Sequence, residues 1–312
     1  MLKFFRAFYT FRNKTQHKSV LFGANLWFMK ILVSGSHGLV GTALINSLIP
    51  DGHEIVRLVR NKPLDVASLE GIDAVVHLAG ESIASSRWSD DKKRAIRESR
   101  TKGTALLSDA LAQLSRPPAV LVSASAIGYY GSRGDELLTE NSAPGGDFLA
   151  NVCVEWENAT KPAIEKGIRT VHARFGIILD KDQGALAKML TPFRMGVGGR
   201  IGNGKQWMSW IAIDDVVSGL KFVISDQTTS GPVNFVAPNP VTNAEFTKTL
   251  GRVLSKPTLF PMPEFGVRLA FGEMGEALLL ASQRVKSEVL KHFDYPTLDA
   301  ALRHLLTADK RG

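Results

Sequence analysis

The stretch Ser34-Gly35-Ser36-His37-Gly38-Leu39-Val40-Gly41 constrains the fold more than any other part of this 312-residue chain. It follows Lys30-Ile31-Leu32-Val33, a short apolar run that reads as a buried parallel strand, and precedes residues 42–49, which have helical spacing. Strand, glycine turn and helix together form the geometry that seats a dinucleotide pyrophosphate on a helix N-terminus. Three glycines at this spacing also arise by chance, and then mark only a structural turn. Their place between strand and helix gives the pattern its weight. It predicts cofactor contacts at Gly35, Ser36, His37, Gly38, Leu39, Val40 and Gly41.

From residue 30 onward, strands and helices alternate. Residues 55–59, 74–78, 119–124 and 170–175 read as further strands, and 88–114 and 147–166 as helices. Glycines fall near the strand ends. The expectation is an α/β fold: a Rossmann-type doubly wound parallel sheet with a small C-terminal substrate lobe. The nucleotide-binding domain takes 29–180 plus 214–237, and the lobe takes 181–213 plus 238–312. Within these, 207–213 reads as a strand, 214–224 as a helix capped by Asp214-Asp215, and 242–254 and 264–291 as helices.

The end of the second strand discriminates between cofactors. An NAD enzyme usually presents Asp or Glu there to the ribose 2′-hydroxyl. Here the chain reads Arg57-Leu58-Val59-Arg60-Asn61-Lys62, with no acid. A guanidinium pairs a 2′-phosphate through two parallel bonds, so the run predicts NADP, with Arg60 as chief ligand. A solvated basic turn is the plainer reading. Leu78-Ala79-Gly80, small residues closing the third strand, let ribose and adenine lie against backbone. Arg100 either reaches phosphate or is an exposed helix charge, and Ile178 is a further cofactor contact. Among strand-end serines, Ser125 is the first candidate to hydrogen-bond a substrate oxygen and Ser123 the second, unless both are ordinary strand residues. Gln206, Trp207 and Trp210, with Phe193 and Arg194, suit a polar organic or anionic substrate. The two tryptophans equally fit packing positions on alternate strand residues.

In these residues the chain resembles the extended short-chain dehydrogenases/reductases. More narrowly, it resembles their atypical epimerase-family branch, also labelled cell-division-inhibitor-like. The likeness runs from residue 30 to about 304. It rests on the glycine turn, His77–Glu81, Ser99-Arg100 with Gly103-Thr104, Pro144–Phe148 and Trp156-Glu157. Arg174–Gly176, Pro192–Arg194, Gly202–Gln206, Trp210-Ile211, Asp214-Asp215, Gly272-Glu273 and Ser282–Val285 continue it. The resemblance implies an NADP-binding fold with a sugar-epimerase-like layout, and an oxidoreductase or epimerase acting on a sugar-like or small carbonyl or alcohol substrate.

One departure stands out. Short-chain dehydrogenases use Tyr-x-x-x-Lys on the helix after the fourth strand, where the ammonium lowers the phenol pKa. Aligning on Glu157 puts Leu149 at the tyrosine position and Cys153 at the lysine position. None of the four tyrosines has Lys four residues on. Three explanations stay open: Tyr129 or Tyr130 supplies the phenol from a loop, water or substrate handles the proton, or the protein binds NADP(H) without turnover and regulates a partner. Cys153 as a nucleophile lacks a His or Asp at suggestive spacing.

The net charge of +8 does not point to nucleic acid. Lys3, Arg6, Arg12, Lys14 and Lys18, in an acid-free segment 1–28, supply +5 of it. That segment reads as an upstream extension of a frame starting at Met29, as a surface tail, or as a targeting peptide. No run approaches the roughly 18 apolar residues that span a bilayer, so no membrane partner is expected. The single cysteine suits a reducing compartment, here taken as the cytoplasm. The seven scattered histidines predict no metal site. The helices 88–114 and 147–166 would allow a homodimer.

Overall fold

The computed structural model describes residues 28–58 and 64–307. Six strands form one parallel sheet: β1 (Lys30–Ser34), β2 (Glu54–Leu58), β3 (Ala74–His77), β4 (Val120–Ala126), β5 (Arg169–Phe175) and β6 (Gly231–Phe235). Their order across the sheet is β2-β1-β3-β4-β5-β6. The chain leaves β1 in one direction to make β2 and returns on the other side as β3, so the order reverses between β1 and β3. In an open α/β sheet, ligands bind outside the strand carboxyl ends at that crevice.

Strand alternation sorts the core into two faces. Ile31, Val33, Ala74, Val76, Val120 and Val122 point to one side, and Leu32, Val75 and Leu121 to the other. The first face is covered by α1 (Leu39–Leu48), α4 (Gly184–Arg194), α5 (Ile213–Ser225), α6 (Asn243–Leu254) and α8 (Leu298–Thr307). The second is covered by α2 (Asp90–Ala112) and the short helix Lys161–Glu165. Buried residues of α4, α6 and α8, among them Leu190, Phe246 and Leu302, belong to the same apolar cluster as the sheet, so the C-terminal segments share one core with it. α3 (Phe148–Asn158) packs on α2 and β4, and α7 (Glu264–Phe271) lies outside the main cluster.

The structure corrects four expected elements. The helix predicted over 147–166 breaks after Asn158, because Pro162 begins a new turn and cannot donate into the preceding one. The helix predicted over 264–291 ends at Phe271, where Gly272 takes φ +60°, and the chain is extended again from Ala281. The strand predicted over 207–213 is two short pieces with different partners. Trp207–Met208 pairs with Val241–Thr242, and Trp210–Ala212 with Ile177–Leu179. Asp214-Asp215 does not cap α5, whose cap residue is Ala212. Instead the buried Asp215 carboxylate accepts the backbone N–H groups of Asp294 (2.7 Å) and Tyr295 (3.3 Å). Burial pushes its pKa up to about 6.

Candidate functional site

Gly35 stands at the crevice. Its φ is +66°, and a Cβ there would lie 2.8 Å from both Leu78 C and Leu78 O. The turn after β1 therefore rests on the turn after β3, and only glycine allows the approach. A Cβ at Gly41 would meet Gly35 O at 2.4 Å, so α1 starts hard against the turn. The Gly38 amide donates to Gly35 O (3.0 Å). No side chain caps α1, whereas Ser89, Asp147 and Thr242 cap α2, α3 and α6. The first amides of α1 are thus left for a ligand, with the positive end of the helix dipole behind them.

Beneath the turn lies a buried polar chain. Ser34 Oγ accepts the N–H groups of Leu78 (3.1 Å) and Ala79 (3.3 Å). Both lone pairs are then occupied, so the hydroxyl proton points to His77 Nδ1 at 2.6 Å. The ring proton belongs on Nε2, donated to Thr104 Oγ1 (3.0 Å), which also accepts from Trp156 Nε1 (2.9 Å). Burial holds His77 neutral, with its pKa down to about 4. Arg100 donates to Glu81 O (3.0 Å), sits over the Trp156 ring, and would meet a Cβ at Gly80 at 3.4 Å. It therefore supports the Leu78–Gly80 turn from below. Arg57 donates to Ser36 O (3.3 Å), which puts one cation of β2 on the glycine turn. Arg60 lies outside the described residues. Ile178 comes close to Leu39, since a Cβ at Gly184 would touch both Leu39 Cδ2 (3.3 Å) and Ile178 O (3.7 Å).

The proposed catalytic hydroxyls are tied into a second network, at the carboxyl ends of β4, β5 and β6. Ser125 donates to Glu157 Oε1 (2.7 Å), and Arg174 clamps both Glu157 oxygens at 2.8 Å. Arg174 also donates to the Tyr130 hydroxyl (3.0 Å), which donates to Asn234 Oδ1 (2.7 Å). Tyr130 is fully buried and its pKa is pushed up to about 12 by burial. The Tyr129 ring lies under the Arg174 guanidinium at 3.5 Å. Ser123 donates to Ala124 O (3.5 Å). Glu140 accepts from Asn234 N, Ser287 Oγ and Glu288 N, all at 3.0 Å. This network ties α3, β5 and the C-terminal segment together.

An open cleft of about 550 Å3 lies beside these strand ends. Trp88, Ser132, Asp135, Phe148, Leu149, Lys205, Gln206, Glu264, Arg268, Glu276 and Ser282 are among the residues that line it. Leu149, the residue at the expected tyrosine position, is on its wall. Cys153, at the lysine position, is buried, and burial raises its pKa to about 12, so the thiol is inert. Of the five residues expected to meet substrate, Gln206 lines the cleft. Trp207 is nearby, its Nε1 donating to Asp135 (2.7 Å). Trp210 is fully buried and donates to Asn239 O (3.1 Å), and Phe193 packs in the core, so both rings serve packing. Arg194 is at the exposed end of α4. Of the acids on the cleft wall, Asp135 lies in a loop, Glu264 in α7 and Glu276 in a helical turn after Gly272, and these three were not singled out, because their facing inward depends on how the segments pack. Among the described residues no group of histidine, cysteine and carboxylate side chains is placed to hold a metal.

Comparison with known proteins adds independent findings. A model of the NAD dependent epimerase/dehydratase family matches residues 31–236, and one described only as a domain of unknown function matches 262–305. An epimerase family protein of Mycobacterium bovis is 41% identical over 295 residues, covering 89% of this chain and 97% of its own. The human epimerase family protein SDR39U1 is 35% identical over 295 residues, covering 89% of this chain and 100% of its own. The crystal structure of that human protein (isoform 2) with NADPH superposes with a TM-score of 0.84 at 33% identity, covering 90% of this chain and 100% of that one. A nucleoside-diphosphate sugar epimerase from Corynebacterium glutamicum gives a TM-score of 0.74 at 39% identity, over 90% of this chain and 58% of that one.

Proposed function

The chain belongs to the NAD-dependent epimerase/dehydratase family, and on that premise we propose that it binds NADP(H) and acts as an oxidoreductase or epimerase on a small, sugar-like carbonyl or alcohol substrate in the adjacent cleft. The observation that carries this reading is the Gly35 turn, locked against Leu78 at the point where strand order reverses, with the α1 amides uncapped. The NADPH held by the human relative supports the choice of cofactor. Gly35–Gly41 would hold the pyrophosphate, and Leu78–Gly80 would lie against ribose and adenine. Arg57 with Arg60 would meet the 2′-phosphate. The nicotinamide, when bound, supplies or accepts a hydride.

The chain's own groups set how the proton is handled. Leu149 offers none from the position where a short-chain dehydrogenase carries its phenol. The Tyr130 hydroxyl is committed to Asn234, and Ser125 to Glu157. Water in the open cleft, a group of the substrate or the Tyr129 phenol therefore moves the proton. A second reading, an NADP(H)-dependent binder without turnover, is favoured by the same pair, Leu149 and Cys153.

Titration followed by nicotinamide fluorescence tests the cofactor. NADPH is expected to bind at least about tenfold more tightly than NADH, with Arg57→Ala or Arg60→Ala narrowing the gap. Tighter NADH binding rejects the assignment. Oxidation of NADPH with a panel of carbonyl compounds then separates the two readings, since the binder shows no turnover with any of them.

A further inference from the structure

We propose that the surface formed by residues 195–200 and 257–269 docks on an anionic lipid bilayer. Six large apolar side chains stand out from it: Met195 (71% exposed), Val197 (51%), Leu259 (76%), Phe260 (61%), Phe265 (74%) and Leu269 (76%). They are neighbours in space. The amide of Met262 donates to Arg200 O (2.9 Å), and that of Gly202 to Met262 O (2.8 Å), so the two segments run side by side. A Cβ at Gly196 would lie 3.7 Å from Pro257 Cγ. Phe265 and Leu269 are four residues apart on α7 and share one face of it. Glu264 and Arg268, also four apart, line the cleft instead. One helix thus presents a polar face to the cleft and an apolar face to solvent. Soluble proteins rarely leave so many large apolar chains together without a use.

Charge selects the partner. Residues 183–213 contain Lys188, Arg194, Arg200 and Lys205 and no acid, and residues 246–272 contain Lys248, Arg252, Lys256 and Arg268 with Glu264 as their one acid. That acid faces the cleft, as do Lys205 and Arg268, and Arg252 pairs with Asp299, which leaves Lys188, Arg194, Arg200, Lys248 and Lys256 exposed on the outside. Cations therefore accompany the apolar chains, which calls for an anionic partner. The basic segment 1–28 is repelled by such a rim, and a second copy docked face to face would bring like charges together. The prolines at 257, 261 and 263 hold an exposed strap from which Leu259 and Phe260 project. A fluid interface moulds itself round such projections, whereas a folded partner needs a matched socket. Aromatic and aliphatic chains entering the headgroup region, with Lys and Arg at the phosphates, are the physics of interfacial binding. The lack of a membrane-spanning helix among the described residues concerns a different kind of attachment.

The full chain is sedimented with vesicles of phosphatidylcholine alone, or with about one-third phosphatidylserine. Binding is expected to the anionic vesicles, weaker by at least about tenfold in ~0.5 M salt. The double variant Phe265→Asp, Leu269→Asp is expected to bind at least about tenfold more weakly, while its melting temperature and NADPH titration stay as in the parent. Absence of binding to anionic vesicles overturns the proposal. Undiminished binding by the double variant overturns it too, since residues 1–28 then carry the attraction. So does concentration-dependent self-association, without lipid, that the double variant abolishes. None of these outcomes depends on whether the NADP(H) assignment holds.

Discussion

His77 shows how a single buried side chain ties stability to pH. Its ordinary pKa of 6.5 falls to about 4 in the folded protein, through burial. As pH drops, the unfolded chain takes up the proton first. The folded state therefore loses stability from about pH 6.5 down to about pH 4, by at most about 3 kcal/mol, and keeps it in full above that window. Asp215 works in the opposite sense, because its raised pKa favours the folded state at low pH and that favour fades as pH rises through about 6. Comparing the parent with His77→Gln removes the shared Asp215 contribution. The variant's stability, from urea titrations at several pH values, is expected to fall less steeply between pH 6.5 and 4. An equal slope refutes the account. Cys153 gives a second residue-level test. Its thiol is expected to react with a disulfide reagent only on unfolding, with native-state labelling at least ~100-fold slower than in denaturant.

Elements carry the next set of consequences, and here sequence and structure part company instructively. The glycine turn, the alternating strands and the absence of an acid after β2 were legible because each depends on local chain geometry. Gly35→Ala should weaken NADPH binding by at least about tenfold and lower the melting temperature, since its Cβ must displace the backbone at Leu78. A variant that binds NADPH as the parent does would count against the cradle. The network of Ser125, Glu157, Arg174, Tyr130 and Asn234 was not legible. Its members come from β4, α3, β5, the turn after β4, and β6, so pairing appears only once those elements meet. Residues singled out for chemistry, Ser125 and Tyr130, are used there to hold elements in place. Replacing Arg174 by Met leaves the largely buried Glu157 carboxylate without its counter-charge, and should cost about 3–5 kcal/mol by denaturant titration. Tyr130→Phe should cost only about 1–2 kcal/mol. The cleft wall escaped for a related reason: α7 looks amphipathic in sequence, but which of its faces meets the cavity depends on the loop 203–206 and the chain after Gly272.

At the scale of the molecule, the sheet and the segments after residue 180 behave as one body, because one apolar cluster runs from Ile31 to Leu305. Leu302→Ala, in α8, should cost about 2–5 kcal/mol and shift the whole unfolding transition. Circular dichroism in the far and near ultraviolet should report the same midpoint, and a separate early transition for the C-terminal part would contradict a shared core. The same arrangement bears on how the protein is made. Strands β1 to β4 leave the ribosome early, yet the apolar cluster on one side of their sheet is completed only when Leu298, Ala301, Leu302 and Leu305 arrive. The buried carboxylates of Asp215 and Glu140 likewise wait for the amides of Asp294 and Glu288. A nascent chain of this protein therefore carries an unfinished apolar surface through most of its synthesis, and chaperones that recognise such surfaces should engage it until translation passes that last helix.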